Sequence, residues 1–195
     1  MRIATVSRST AETDISATLN LDGTGVFKPD MPIGFFEHML SQVARHGFFD
    51  LELAVKGDTY IDGHHTVEDT GIVLGQALNK ALGDKKGIRR YGNATVPMDD
   101  VLAMCAIDLS GRPYLHFEAN FTAERLGDMD TELVHEFFQA MSIHGGMNLH
   151  IKVFHGVNNH HIAEAVFKAF GRALCEAVSL DARVQGVLST KGSID

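Results

Sequence analysis

Asp62-Gly63-His64-His65-Thr66-Val67-Glu68 is matched in the second half of the chain by Asn158-Asn159-His160-His161-Ile162-Ala163-Glu164. A His-His-x-x-Glu cluster occurring twice points to a duplicated fold rather than to packing, and internal repeats are the first thing to read in a sequence. The similarity extends upstream. Arg45-His46-Gly47-Phe48-Phe49-Asp50-Leu51-Glu52-Leu53-Ala54-Val55 aligns with Ile143-His144-Gly145-Gly146-Met147-Asn148-Leu149-His150-Ile151-Lys152-Val153. Each copy is preceded by paired phenylalanines, Phe35-Phe36 and Phe137-Phe138, and followed by a Gly-bearing turn that leads into the His-His segment.

Hydrophobic periodicity assigns the elements. Residues 2–8 and 14–21 alternate as half-buried strands, 35–45 reads as helix, 49–56 as strand and 64–82 as helix. The second half gives strands near 101–108 and 113–121, a helix at 131–143, a strand at 147–154 and a helix at 160–178. Ile162, Val166, Phe170, Leu174 and Val178 form a core-facing stripe on the last helix. Asp62 and Asn158 or Asn159 are the expected N-caps. The expected fold is therefore α+β: a two-layer α/β sandwich of two repeated β-β-α-β-α halves, each a mixed sheet with helices on one face. The halves are 1–88 and 89–180, followed by a polar tail at 181–195, together one compact domain.

The 195 residues are 45% hydrophobic, enough for a sizeable core. A net charge of −8 with no basic run argues against nucleic-acid and membrane partners, and no signal or spanning segment is evident, so a soluble cytoplasmic protein is expected. Cys105 and Cys175 sit in apolar stretches and read as small buried hydrophobes.

Histidine, with 11 copies, is the abundant ligand type. On a helix, successive side chains point about 100° apart, whereas i and i+4 share a face. His64 with Glu68, and His160 with Glu164, can each share an ion, while His65 and His161 point toward a second. His38 and His135 on the preceding helices are expected to complete the shells. His38 stands eight residues before His46 and His135 nine before His144, so these two are one residue out of register. Imidazole and carboxylate without thiolate suits Mn, Fe or Zn, with Mn favoured for octahedral sites. His46 and His144 read as helix C-terminal residues facing the dipole. His116, His150 and His155 read as surface residues.

Longer motifs give a family resemblance. Ile61-Asp62-Gly63-His64-His65-Thr66-Val67-Glu68-Asp69-Thr70-Gly71 and Asn159-His160-His161-Ile162-Ala163-Glu164-Ala165-Val166-Phe167-Lys168-Ala169-Phe170 resemble the two signatures of the imidazoleglycerol-phosphate dehydratases. Pro97-Met98-Asp99-Asp100, Asp108-Leu109-Ser110-Gly111-Arg112-Pro113-Tyr114, Gly87-Ile88-Arg89-Arg90-Tyr91-Gly92 and Ser189-Thr190-Lys191-Gly192 are similar to further family segments. The sequence departs from the family at Glu37, where Asp is usual, and at Leu188, where Pro is usual.

The resemblance implies dehydration of imidazole glycerol phosphate to imidazole acetol phosphate in L-histidine biosynthesis, through an imidazolate held between two metal ions and a diazafulvene. It implies two Mn2+ per active site, other divalent metals being admissible. It implies Glu12 as the leading acid–base group, and Asp100 as a residue that orients a metal ligand or assists proton transfer. Arg90, Arg112, Lys168, Ser189 and Lys191 are implied as phosphate ligands, with Glu12 also touching substrate. It further implies active sites between subunits of a homo-oligomer, a 24-mer built from trimers. A metal-buffering protein would have no use for Glu12, Arg90, Arg112 or the terminal motif, and a dinuclear hydrolase would need a bridging carboxylate that is not evident.

Overall fold

The computed structural model describes residues 1–194. The first half contains β1 (Ile3–Ser9), β2 (Thr13–Asn20), β3 (Phe27–Asp30), α1 (Gly34–Gly47), β4 (Asp50–Gly57) and α2 (His64–Leu82). The second contains β5 (Tyr91–Met98), β6 (Val101–Asp108), β7 (Tyr114–Glu118), the short hairpin β8 (Arg125–Leu126) and β9 (Met129–Asp130), α3 (Leu133–Gly145), β10 (Asn148–His155) and α4 (Asn159–Val178). The first half is thus β-β-β-α-β-α, one strand richer than periodicity suggests, and the second repeats that order with the β8–β9 hairpin inserted before α3. β3 is only four residues long and carries Pro29, too short to display alternation. β5 was not among the expected strands. It carries Pro97, and its inward positions begin with the small residues Gly92 and Ala94, so its alternation is faint.

The duplication is visible in the pairing. The sheets run β1-β2-β4-β3 and β5-β6-β10-β7. In both, the first two contacts are antiparallel and the last is parallel. The parallel partners β3 and β4 are joined through α1, and β7 and β10 through α3, because a parallel connection must cross over. One face of each sheet is buried in alternation along β2 and β6, and the other is left to solvent.

Within each half the helices cover one sheet face, and the halves then join helix to helix. α2 packs on β1 and β2, α4 on β5 and β6, α2 against α3 and α1 against α4. The core between them includes Phe36, Phe137, Phe138, Phe167 and Phe170, all essentially inaccessible to solvent. Glycine permits both helix crossings. A Cβ at Gly75 would lie 2.8 Å from the Gly145 amide nitrogen, and one at Gly171 would lie 2.9 Å from the Val43 carbonyl oxygen.

The crossings also fix direction. Gly63 abuts Ile33 and Leu133, while Gly75 abuts Gly145, so α2 runs parallel to α3. His38 meets Glu164 and Gly47 meets Gly171, so α1 runs parallel to α4. Phe35 packs edge-on against His160, with ring centroids 5.3 Å apart. The N-termini of all four helices therefore lie at one end of the bundle, and all eight expected metal ligands occupy their first two turns.

Asn158 caps α4 as expected, its side chain accepting from the His160 and His161 amides. At α2 the cap position itself is Gly63, and Asp62 accepts the His64 amide at 2.8 Å. His46 and His144 stand in the last turns of α1 and α3. Burial, reinforced by nearby Lys168 and Arg172, lowers the His46 pKa, against the pull of the helix dipole. Cys105 is fully buried, whereas Cys175 is half-buried and lines an open groove with Arg172 and Glu176 beside the β5 edge. No helix among the described residues is long and apolar enough to cross a membrane.

Candidate active site at the helix ends

The helical spacing that places i and i+4 on one face brings His160 Nε2 to 3.1 Å from Glu164 Oε2. The α1–α4 crossing adds His38, whose Nε2 is 3.3 Å from the same oxygen. The donor atoms of these three residues all lie within 4.8 Å of one another, and among the described residues they are the only such group of three or more. Lys168, one turn further along α4, contacts Glu164 Oε1 at 2.6 Å. Burial would raise the Glu164 pKa, but the Lys168 ammonium, with His160 and His38, holds it at about 2.

In the other half, His64 Nε2 and Glu68 Oε2 are 4.0 Å apart. His135 does not join them: its Nδ1 contacts the neighbouring Glu136 Oε1 at 3.0 Å, and its ring packs edge-on against Phe117. The one-residue register offset of His135 is the sequence counterpart of this difference.

The second histidine of each pair is held by a carboxylate at Nδ1. His65 Nδ1 lies 3.0 Å from Asp58 Oδ2, and His161 Nδ1 lies 2.7 Å from Asp100 Oδ1. A carboxylate only accepts, so both rings donate from Nδ1, and their Nε2 atoms face outward, toward Glu12 at 3.8 Å in His65 and Asp99 at 3.5 Å in His161. This is the usual support of a metal-ligating imidazole. The Asp58 hydrogen bond raises the His65 pKa against the opposing effect of desolvation, with Glu12 adding to the rise. Asp100 is held well below the usual carboxylate range by the Val157 amide, His161 and the Asn158 amide.

Sequence reading missed Asp58, which lies in a loop outside any motif quoted for its chemistry. The signal was its place shortly before the His-His pair.

Glu12 sits in the β1–β2 turn. Its Oε1 is 3.8 Å from His65 Nε2, and its side chain is 54% exposed, so the carboxylate is free to meet a ligand. The turn is fixed by the Thr10 amide on the Thr13 carbonyl at 2.8 Å and by the Glu12 amide on Thr10 Oγ1 at 3.1 Å. Beneath it, Thr13 Oγ1 donates to the buried carboxylate of Asp69, which also faces Arg8 at 3.2 Å.

The expected phosphate ligands divide. Arg90, Arg112, Ser189 and Lys191 line one cleft of about 850 Å³, together with Ser110 and Arg183. Arg90 is clamped on Asp108 through Nε at 2.6 Å and Nη2 at 3.0 Å, and its Nη1 donates to the Leu188 carbonyl at 2.7 Å. This ties the terminal segment to the second sheet. Lys168 does not line this cleft but stands beside Glu164, so one chain does not gather all five residues. Nor does any of the eight histidine and glutamate candidates line it.

A fold built twice, with imidazole–carboxylate groups at one end of its helices and a cationic cleft near its terminus, defines a duplicated α+β enzyme suited to a small anionic substrate. The imidazoleglycerol-phosphate dehydratase family profile matches residues 31–174. A protein of that name from Lachnoclostridium phytofermentans is 62% identical, covering 100% of this chain and 99% of its own. One from Acetivibrio thermocellus is 57% identical over 97% of both. The crystal structure of the Staphylococcus aureus dehydratase superposes with a TM-score of 0.83 at 39% identity, covering 92% of this chain and 99% of its own. That of the Pyrococcus furiosus enzyme gives 0.81 at 34%, covering 96% and 99%. The chain belongs to the imidazoleglycerol-phosphate dehydratase family, hydro-lyases of histidine biosynthesis.

Proposed function

We propose that this chain dehydrates imidazole glycerol phosphate to imidazole acetol phosphate in a metal-dependent reaction, with the eight helix-end residues as ligands. The observation that carries this reading is the convergence of His38, His160 and Glu164. The donor set fits: it is imidazole and carboxylate without thiolate, which suits Mn2+, and carboxylates hold the Nδ1 atoms of His65 and His161. His38, His64, His65, Glu68, His135, His160, His161 and Glu164 would hold two Mn2+ per active site. When bound, these ions supply Lewis-acid stabilisation of negative charge developing on the substrate ring, worth several kcal/mol.

The reaction needs this help because the proton lost is not next to a carbonyl. The hydroxyl leaves from the carbon attached to the ring, the proton leaves from the next carbon, and the resulting enol ketonises. Glu12 would move that proton, a role supported by its exposed carboxylate beside His65. Asp100 acts as a positioning residue. Its Oδ2 already accepts the Val157 and Asn158 amides at 2.8 and 3.1 Å, and its Oδ1 faces His161. Arg90, Arg112, Ser189 and Lys191 bind the phosphate through charge-assisted hydrogen bonds. Lys168 would contact a substrate lying at the helix ends.

The separation of cleft and helix ends within one chain favours sites completed by neighbouring copies, in a cytoplasmic homo-oligomer that we take to be a 24-mer of trimers. Product formation from imidazole glycerol phosphate, with metal content determined on the same sample, tests the activity. Full activity after thorough chelation would overturn the metal dependence. An unchanged light-scattering mass after chelation would overturn assembly through shared metals.

A further inference from the structure

The two halves fix their second histidines with carboxylates from different places, and the difference is built into the fold. The β1–β2 turn ends with Glu12, immediately before Thr13 opens β2. The β5–β6 turn ends with Asp100, immediately before Val101 opens β6. These are equivalent positions of the repeat. After the equivalent strands β4 and β10, Asp58 follows Gly57 and Gly156 follows His155. In the second half the turn residue Asp100 reaches across to His161. Its loop counterpart Gly156 cannot carry a side chain: φ is +141°, and a Cβ there would lie 2.4 Å from Val101 Cγ2 and 3.0 Å from Val101 Cα.

In the first half the loop does carry a side chain. Asp58 Oδ2 holds His65 Nδ1 at 3.0 Å, the Asp58 amide donates to the Glu12 carbonyl at 3.1 Å, and the Asp58 carbonyl accepts the Ile61 amide at 2.8 Å. Asp58 is buried, and its other oxygen, Oδ1, has no protein partner. An unpaired buried carboxylate oxygen is costly, so its retention calls for a reason.

The geometry points to Asp58 as a positioning residue that takes over from Glu12 the task of holding a ligand histidine. Asp58 fixes His65 at Nδ1, so the exposed Glu12 carboxylate, 3.8 Å from Nε2, is not needed to hold the ring and is available to substrate. Asp58 also anchors the Glu12 turn through the backbone, so one residue sets both His65 and Glu12. The inference rests on the proposed reading of His65 as a metal ligand.

The test is a calorimetric Mn2+ titration of the chelated full-length protein. Asp58→Ala should weaken Mn2+ binding about 10–100-fold, the usual effect of losing a supporting partner. Asp58→Asn, whose amide oxygen still accepts from Nδ1, should recover most of that loss. Glu12→Ala, at an exposed turn, should leave Mn2+ affinity within about 3-fold of wild type, whereas Asp100→Ala, at the equivalent position, should weaken it about 10–100-fold. The inference is overturned if Asp58→Ala binds as wild type, or if Glu12→Ala weakens binding as much as Asp100→Ala does. The Glu12 arm decides even if Asp58→Ala fails to fold. His65→Ala separates the two claims: if it binds Mn2+ as wild type, the metal reading fails, and if it loses binding while Asp58→Ala does not, only the present inference fails.

Discussion

The two halves share one sheet topology and, apart from a bulge between Val153 and His155 in β10, one strand register, yet their exposed sheet faces and helix ends are chemically unlike. On the first sheet, Thr5 pairs with Thr18 and Ser7 with Ser16, each at 2.9 Å between hydroxyl oxygens. On the second, His116 stacks on His150 across the parallel β7–β10 pair, with Tyr114 beside them. At the helix ends, one half brings His160 and Glu164 together with His38, whereas His64 and Glu68 stand without His135. Duplication thus preserved the pairing that holds the fold and let the groups that meet ligands diverge. Backbone ladders constrain every strand residue, while a side chain beyond the first turn of a helix is constrained only by what it touches.

The sharpest break in this symmetry is Glu12 against Asp100, and it carries the largest expected effect. Glu12→Gln should lower turnover on the order of 10²–10⁴-fold, the usual contribution of a general acid–base group. Asp100→Asn should lose far less at saturating Mn2+, because its expected contribution is to hold His161. Steady-state kinetics at saturating metal compares them, and equal losses would make the two turn residues equivalent. A second contrast lies between the ligand sets. His38, His160 and Glu164 are already assembled, and preorganised sites bind more tightly. Titration of chelated protein with Mn2+ should therefore show a tighter and a weaker phase about tenfold apart, with His160→Ala removing the tighter and His64→Ala the weaker. A single phase affected equally by both variants would remove the distinction.

The helices and the His-His-x-x-Glu pairs were legible in the sequence because their spacing is a local property of the helix. The duplication was legible because whole segments align. β3 escaped because it pairs with β4 only across α1, and β5, although it forms a hairpin with β6, escaped because the small residues Gly92 and Ala94 and the interruption at Pro97 make its alternation faint. Asp58 escaped because its role arises only when the β4–α2 loop folds over His65. The separation of Lys168 from Arg90, Arg112, Ser189 and Lys191 was likewise invisible, since the terminal segment is positioned by Arg90 on the Leu188 carbonyl, contacts far apart in the chain.

The helix crossings offer a third comparison. Gly75 at α2–α3 and Gly171 at α1–α4 each bring backbone close to backbone, and neither neighbour is a side chain that can swing away. Ala at either site must push the helices apart. Each substitution should cost about 1–3 kcal/mol, the range for overpacking. Thermal unfolding should show similar losses for Gly75→Ala and Gly171→Ala. A stabilised variant, as expected from the better helix propensity of Ala alone, would show that one crossing yields freely.

The smallest effect separates Asp50 from Asn148, the equivalent residues that open β4 and β10. Asp50 Oδ1 accepts the Thr24 and Val26 amides at 2.8 and 3.0 Å, and these bonds lower its pKa. Asn148 instead donates, through Nδ2, to the Arg112 carbonyl at 2.5 Å and to Ser110 Oγ at 3.3 Å. A carboxyl whose folded pKa is depressed adds stability that is fully present above its unfolded value and is lost as pH falls through the folded one. Asp50→Asn should therefore destabilise at neutral pH by about 0.5–1 kcal/mol after solvent screening. The difference from wild type should shrink as pH falls below 3.8, the ordinary value of an aspartate carboxyl. Asn148→Asp should destabilise at neutral pH, since a carboxylate cannot donate to the Arg112 carbonyl, and should recover as acid protonates it. Denaturant melts of both variants across pH 3 to 7 would measure these opposite slopes, and parallel slopes would mean that the two positions do not differ in the sign of charge they accept.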